Sequence, residues 1–241
     1  MSPKLLAGGV VTAAAAALLA GGCAYAAMYP TSQIFGHILI AGSDPDELAL
    51  TFDDGPNPAV TPQLLELLEQ NGVRATFFLI GNFVRTQPSL AREIAEAGHL
   101  IGNHTMSHPK LAWQARARIR QEISDTNRLL EDTVGIPVRY FRPPHGSRRP
   151  YVMRAARELG LTTVLWNVTA LDWEPIGTDA IASRIEAGIA RNVPRHRGSN
   201  ILLHDGGHLH LGTDRHATVQ ATARILRRPA AKRFVTVDRW G

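Results

Sequence analysis

Two adjacent aspartates, Asp53 and Asp54, are the first residues of this chain whose types and spacing suggest chemistry. They follow the apolar run Leu48–Phe52 and precede Gly55 and Pro56, so they stand where a strand would end and turn. Two like charges this close repel each other, and a bound cation would relieve that repulsion. Aspartate is also common in turns and helix caps, so the pair alone allows either interpretation.

Two histidines, His104 and His108, form the second cluster. With three residues between them, they can face one way on a turn of helix and hold one metal ion. No glutamate follows His104, which excludes the HExxH pattern of zinc proteases. A pair of surface histidines remains an alternative. Together with one carboxylate of the pair Asp53 and Asp54, the two histidines supply a set of three ligands. Catalytic zinc typically uses three protein ligands and keeps a further position for water.

The third cluster, Phe141–Gly146, has Arg142 at its start and His145 near its end. Two consecutive prolines fix the backbone between them. A rigid loop of this kind suits a buried arginine that is oriented towards a carboxylate, or a backbone N–H aimed at an oxyanion. An ordinary loop with a solvated arginine is the alternative.

Two more clusters follow later apolar runs. Asp172 and Trp173 come shortly after the run that ends at Trp166, and the aromatic rings there could line a sugar site, although tryptophan is more often a core residue. His204 directly follows the apolar run 200–203. Histidine suits acid–base chemistry because its unperturbed pKa is about 6.5. A packed, hydrogen-bonded histidine is the other interpretation.

The elements that must position these clusters alternate between short apolar runs and amphipathic stretches. Such alternation predicts βαβ units with a parallel sheet. About seven units in the chain predict a closed or nearly closed barrel, with an open doubly wound sheet as the alternative, and polar clusters at the strand ends fit both. The predicted strands are Leu48–Phe52, Ala75–Leu79, Leu100–Asn103, Arg139–Phe141, Thr162–Trp166, Asn200–Leu203 and Phe234–Val237, and the predicted helices are Thr61–Gln70, Ser89–Ala97, Gln114–Asp132, Tyr151–Leu159, Ala180–Ala190 and Thr218–Leu226.

The five clusters, in this order and spacing, resemble the polysaccharide deacetylase family, which is carbohydrate esterase family 4 and carries the NodB homology domain. The family pattern runs T-F-D-D-G-P, H-[ST]-x-x-H, R-x-P-[YF]-G, D-W and L-x-H. The resemblance covers about Glu47–Val237. It implies a distorted (β/α)7 barrel that binds one divalent metal ion, with zinc expected.

The resemblance also implies roles for the residues of the first three motifs. Asp54, His104 and His108 match the metal ligands of the family, and Asp53 matches its general base. Arg142 is similar to the arginine that orients that base. These assignments are expectations that come from the family pattern.

For the remaining motifs, the resemblance implies an acid and a binding pocket. Asp172 matches the carboxylate that tunes a histidine, and His204 matches that histidine, the general acid. Trp173 and Leu202 resemble the wall of the acetyl pocket, and the backbone N–H near His145 would help to hold the oxyanion.

The chain departs from the family pattern at three places. His145 stands where the family usually has tyrosine or phenylalanine, which changes the wall of the subsite. Asn167 stands where many members have an aspartate. The loop 204–216 is also rich in histidine, including His208 and His210. A second metal site is conceivable in this loop, but a solvent-exposed loop is the interpretation that we favour.

The first segment of the chain predicts export. Residues 5–28 carry no charge and follow Lys4, which is typical of a signal peptide or of an N-terminal membrane anchor. We therefore divide the chain into this segment (1–28), a linker (29–45) and a catalytic domain (46–239). Cys23 is the single cysteine of the chain, so no intrachain disulfide can form, and its surroundings hint at a lipoprotein site.

The composition limits the partners. The formal net charge is +5, and the basic residues are scattered rather than interleaved with aromatics, so nucleic-acid binding is not expected. The expected function is removal of N-acetyl groups from a carbohydrate polymer such as peptidoglycan or a chitin-like glycan, outside the cytoplasm. Three alternatives remain: a deformylase of a lipid-linked amino sugar, an O-deacetylase of xylan, and a non-catalytic carbohydrate-binding protein.

Overall fold

The computed structural model of the chain describes residues 21–227 and 232–241. Most of the predicted signal or anchor segment (1–28) therefore lies outside the described residues. Its last part, residues 21–28, is helical, and Cys23 is exposed there. Within the described ranges, none of the helices has the length and apolar character needed to cross a membrane.

In the described part of the chain, eight parallel strands form one sheet, and seven of them follow each other in the order β5-β4-β3-β2-β1-β7-β6. The eighth strand pairs with the first two residues of β1, before β2 begins to pair with it. The strands are β1 (Glu47–Gly55), β2 (Thr76–Leu79), β3 (Leu100–Asn103), β4 (Tyr140–Phe141), β5 (Thr162–Thr163), β6 (Val168–Thr169), β7 (Ser199–His204) and β8 (Arg233–Phe234).

Helices connect these strands, as the alternating pattern predicts. From Thr61 onward they are α1 (Thr61–Gln70), α2 (Gly81–Thr86), α3 (Pro88–Glu96), α4 (Arg116–Val134), α5 (Pro150–Glu158), α6 (Thr178–Asn192) and α7 (His216–Leu226). The six predicted helices are all present. The short α2 and the two-residue β6 were not predicted. The last strand is Arg233–Phe234 rather than the predicted Phe234–Val237, and a 3-10 turn begins at Val237.

The alternation of side chains along β1 separates two cores. Leu48, Leu50 and Phe52 face outwards and pack with the helices. Ala49 belongs to an inner cluster on the opposite face of the sheet. Since successive side chains of a strand point to opposite faces, Thr51 and Asp53 also face inwards. All nine residues of β1 are buried, as expected of a parallel strand that is covered on both faces.

The sheet curls into a half-barrel, which confirms the predicted distorted barrel and excludes a flat doubly wound sheet. In a flat sheet β4 and β7 would lie roughly 19 Å apart, four strand spacings of about 4.8 Å. Instead, Nη2 of Arg142, which directly follows β4, lies 3.4 Å from Oδ1 of Asn200 on β7. Only a strongly curved sheet brings these two side chains together.

Part of the predicted linker closes the gap between the two edges of the half-barrel. Leu39 forms a parallel bridge with Val164, next to β5. On the other side, the carbonyl of Ile40 accepts a hydrogen bond from Asn200, and the carbonyl of Gly42 accepts one from Gly198. Residues 39–42 therefore join the two edges of the sheet.

Candidate active site

A cavity of about 570 Å³ opens at the carboxyl ends of the strands, where the sequence predicts the site. Parallel α/β folds place their chemistry at this end of the sheet. Of the ten residues that the sequence singles out, eight line the cavity, and Arg142 and Asp172 lie behind it. The lining residues are Asp53, Asp54, His104, His108, His145, Trp166, Trp173, Leu202, His204, Gly207, His208, Leu209, His210, Thr213 and Arg215.

The end of β1 presents its two aspartates in different directions. Asp53 follows the inward side of the strand, and the register of β1 with β2 shifts between Asp53 and Gly55. Asp54 has a φ of 70°, in the left-handed region that non-glycine residues seldom adopt. A buried carboxylate, Asp205, packs against Gly55, where a Cβ atom would lie 2.3 Å from Asp205 Oδ2. Glycine is therefore required at this turn.

His104 and His108 lie on an irregular loop, and the predicted turn of helix is wrong. The intervening Thr105 has a φ of 67° and His108 has a φ of 57°, so the backbone cannot continue as a right-handed helix. Side chains hold the loop instead: Asn103 Oδ1 accepts a hydrogen bond from the N–H of Thr105, and Thr105 Oγ1 accepts one from the N–H of His108.

A buried glutamate on α4, Glu122, supports the same loop. Its carboxylate accepts hydrogen bonds from the N–H groups of Met106 and Ser107, at 2.8 and 2.9 Å, and from the hydroxyl of Ser107 at 2.6 Å. Arg118 pairs with it at 2.6 Å. Sequence reasoning missed Glu122, because a glutamate on an amphipathic helix gives no sign that it faces inwards.

Asp54, His104 and His108 form a candidate metal set. One ligand atom from each lies within 4.8 Å of the others, and all three residues are buried. Asp54 Oδ1 lies 3.2 Å from Nε2 of His108 and 3.5 Å from Nε2 of His104. Among the described residues, no donor makes a hydrogen bond of good geometry to this buried oxygen. A cation between the three groups would satisfy it, so the residues fit a metal ion.

The histidines are held in the form that a metal requires. Nδ1 of His104 donates a hydrogen bond of 2.8 Å to the carbonyl of Arg142, which orients the ring so that Nε2 faces Asp54. Burial lowers the pKa of His108 below 6.5, although Asp54 opposes the shift. For Asp54, burial acts to raise the pKa, but the neighbouring histidines hold it well below its usual range. These shifts favour a neutral imidazole at His108 and an ionised carboxylate at Asp54.

Arg142 is fully buried and holds Asp53 from inside the half-barrel. Its Nη1 donates to Asp53 Oδ1 at 2.7 Å and to the hydroxyl of Thr51 at 2.8 Å. The guanidinium carbon lies 4.1 Å from the centre of the Phe78 ring. Burial lowers the pKa of Arg142, and the charge of Asp53 opposes that shift. The arginine therefore fixes the orientation of the Asp53 carboxylate.

His204 lies on the β7 side of the cavity and is paired with Asp172. Asp172 Oδ1 lies 2.9 Å from Nδ1 of His204, while Oδ2 accepts hydrogen bonds from the N–H of His204 and from the hydroxyl of Thr218. Burial acts to lower the pKa of His204, but the charge and hydrogen bond of Asp172 outweigh it and raise the pKa to about 9. The imidazole is therefore protonated at neutral pH and can donate a proton.

The apolar wall of the cavity contains the predicted Trp173 and Leu202. The ring of Trp173 meets the ring of His204 edge to face, with 5.2 Å between their centres. Leu202 is buried on the inner side of β7. Trp166, one of the aromatic residues that the sequence suggests for a sugar site, also lines this wall. Trp166, Trp173 and Leu202 therefore give the cavity an apolar wall beside the candidate metal set.

A second buried arginine, Arg148, ties the third motif to the start of the chain. It donates to the carbonyls of Gly146, Tyr29 and Ser32, at 3.0, 2.7 and 3.1 Å. Burial lowers its pKa to about 10. The turn that carries His145, whose φ is 57°, is thereby held against residues 29–32.

A curled parallel sheet whose strand ends bring Asp53, His204 and a candidate metal set into one cavity is the architecture of an α/β half-barrel hydrolase. A family profile described as polysaccharide deacetylase matches residues 41–164. A peptidoglycan-N-acetylglucosamine deacetylase of Bacillus cereus is 40% identical over 197 residues, 79% of this chain and 86% of that protein. The chain belongs to the polysaccharide deacetylase family, carbohydrate esterase family 4.

Two further relatives agree with this assignment. A chitooligosaccharide deacetylase of Azorhizobium caulinodans is 38% identical over 176 residues, which cover 72% of this chain and 80% of that protein. A peptidoglycan N-acetylglucosamine deacetylase, crystallised with 4-naphthalen-1-yl-N-oxidanyl-benzamide, has a TM-score of 0.72 and 32% identity, and the match covers 83% of this chain and 91% of that chain.

Proposed function

We propose that this protein is a metal-dependent N-deacetylase that removes acetyl groups from N-acetylglucosamine residues of peptidoglycan or a chitin-like glycan. One observation carries the proposal: Asp53, held by Arg142, and His204, held by Asp172, flank the same three candidate metal ligands. Carbohydrate binding alone needs neither a base nor an acid. The named relatives that act on peptidoglycan and on chitooligosaccharides support the choice of substrate.

Zinc is the proposed ion at Asp54, His104 and His108. Two imidazoles and one carboxylate suit a borderline cation, and three protein ligands are typical of catalytic zinc. When bound there, the ion polarises the amide carbonyl and lowers the pKa of a water molecule towards about 7. The remaining steps belong to the side chains of the protein.

Asp53 acts as the general base and accepts the proton of the attacking water. The salt bridge of 2.7 Å to Arg142 keeps its carboxylate pointing into the cavity. Negative charge then develops on the former carbonyl oxygen, and a fixed N–H stabilises it. The N–H groups of Gly146 and Ser147 already donate within the turn to Pro143 and Pro144, so we assign this role to the N–H of His145.

His204 acts as the general acid. An amine leaves from carbon only after it gains a proton, and an imidazolium with a pKa of about 9 supplies one at neutral pH. Asp172 keeps the proton on the imidazole and fixes the ring through its backbone contact. Trp173 and Leu202 enclose the acetyl methyl group.

We also propose that the enzyme works outside the cytoplasm, because its proposed polymers lie there. The uncharged stretch 5–28, preceded by Lys4, supports export as a secreted or membrane-anchored protein. Fractionation of cells that produce the full chain tests this: we expect the protein in the membrane or the medium, reachable by protease added to intact cells. Recovery in the cytosol alone would contradict export.

The function is tested by release of acetate from a panel of polymers. We expect the zinc-loaded full chain to release acetate from chitooligosaccharides or peptidoglycan, and chelation to abolish the release. Asp53→Asn is the matched inactive control. Formate release from a formylated amino sugar, or acetate release from acetylated xylan alone, would replace the proposal with one of the alternatives. No release from any substrate would favour a binding protein.

A further inference from the structure

A second set of three histidines, His108, His145 and His208, lies at the mouth of the cavity. One ring nitrogen from each lies within 4.8 Å of the others. Of these three, His108 also belongs to the inner set with Asp54 and His104, and Nδ1 of His208 lies 3.8 Å from Oδ2 of Asp54. The deacetylation steps described above use no imidazole of His145 or His208.

The three rings converge from separate parts of the chain. His108 lies on the loop after β3, His145 on the turn after β4, and His208 on the loop after β7. His208 stacks on His108 with 4.4 Å between ring centres and 23° between planes, and the ring of His145 stands edge-on to His108 at 4.6 Å. The rings of His145 and His208 are 5.4 Å apart.

His108 has a nitrogen to offer this outer set. Its Nε2 faces Asp54 Oδ1 at 3.2 Å and belongs to the inner set. Its Nδ1 is buried, and no group in the described part of the chain makes a hydrogen bond to it. A buried polar atom without a partner is rare and calls for an explanation. Coordination of a cation by this nitrogen would explain it, and the neighbouring imidazoles of His145 and His208 support that explanation.

We propose that His108, His145 and His208 bind a second divalent cation, which lies outside the inner site. Three imidazoles are ligands that suit zinc, copper and nickel, and water can complete the coordination. His145 and His208 are exposed at the mouth, so an ion reaches them directly from solvent. Binding through the second nitrogen of His108 releases the N–H proton of that ring to solvent.

The outer ion controls access to the cavity. Because it lies at the mouth, it competes with the sugar for the space in front of the inner set. Zinc therefore activates at the first equivalent and inhibits at the second. This consequence rests on the proposed deacetylase function, whereas the binding of the second ion does not.

Metal stoichiometry tests the proposal. The full chain is stripped with a chelator and dialysed against increasing zinc, and bound metal is measured by mass spectrometry. We expect about two zinc ions per chain at saturation in the parent protein, and about one in His145→Phe and in His208→Ala. His210→Ala, on the same loop but outside the set, should keep about two. When cobalt replaces zinc in the titration, the parent protein should show a second absorption change, and His145→Phe and His208→Ala should lack it.

Three results would overturn the proposal. The parent protein could saturate at one ion, or both variants could still bind two. A single ion whose affinity falls in His208→Ala but not in His145→Phe would make His208 an extra ligand of the inner ion instead. If two ions bind but no substrate is deacetylated, the second site stands and the proposed function fails.

Discussion

Arg142 makes hydrogen bonds to both Asp53 and His104. Its guanidinium donates to the carboxylate of Asp53 at 2.7 Å, while its backbone carbonyl accepts the hydrogen bond from Nδ1 of His104 at 2.8 Å. One residue after β4 therefore orients both the proposed base and one of the proposed ligands. The position of the proposed base relative to the candidate metal set therefore depends on this buried residue.

Replacing the proposed base should separate catalysis from metal binding. We expect Asp53→Asn to lower acetate release by at least ~100-fold, a typical contribution of general base catalysis. Metal content should stay at the parent level, because Asp54, His104 and His108 remain. Kinetics and metal analysis of the same preparation check this. Loss of the tightly bound metal would exchange the roles of Asp53 and Asp54.

Because His204 is the proposed general acid, the rate of amide hydrolysis should fall at high pH. The pKa of His204 is about 9, so its proton is lost as the pH rises through that value, and turnover on amides should fall with it. A bound cation repels this proton, so the limb should lie at or below pH ~9. Asp172→Asn should move the limb to lower pH, whereas Glu174→Gln, an exposed neighbour, should leave it in place. Rate profiles from pH 5 to 11 measure the shift. If the alkaline limb does not move in Asp172→Asn, the limb does not report the titration of His204.

The same ion pair predicts how stability depends on pH. The pKa of His204 is raised above its usual 6.5 in the folded protein, so the stabilisation is complete below pH 6.5 and disappears as the pH rises through about 9. Thermal unfolding of the parent protein and of Asp172→Asn, followed against pH, should show curves that converge above that value. Curves that stay parallel throughout would contradict the coupling.

The acid should matter more for amides than for esters. His204→Ala should slow amide hydrolysis by roughly 100- to 10,000-fold, the usual range for general acid catalysis. An activated acetyl ester needs little protonation of its leaving group, so its hydrolysis should fall much less. Both rates are measured on one enzyme preparation. Equal losses on the two substrates would assign His204 a structural role.

Glu122 should set metal affinity without touching the metal. It holds the loop of His104 and His108 through two backbone N–H groups and a hydroxyl. Glu122→Gln should weaken metal binding by about 10- to 100-fold, as for other groups that orient metal ligands. Asp132→Asn, on the exposed side of the same helix, is the control. Unchanged affinity in Glu122→Gln would show that the loop needs no such support.

Much of this protein follows from its sequence. The apolar run of β1 and the helical periodicity of α1 and α4 predict a parallel α/β fold, because short apolar runs that alternate with amphipathic stretches are visible in the residues. Motif spacing identifies Asp53, His104 and His204. The two-residue β6 and the short α2 were not predicted, because elements this short do not show a side-chain period in the sequence.

The tertiary structure alone decided which residues meet. Left-handed backbone at Thr105 and His108 placed two of the proposed ligands on an irregular loop, although their spacing suited a turn of helix. The curvature of the sheet brought Arg142 to Asn200. It also brought His208, on a loop that is solvent-exposed as predicted, against His108. Period and motif are local properties of the chain, whereas these contacts depend on how far the sheet curls, and no local pattern encodes that curvature.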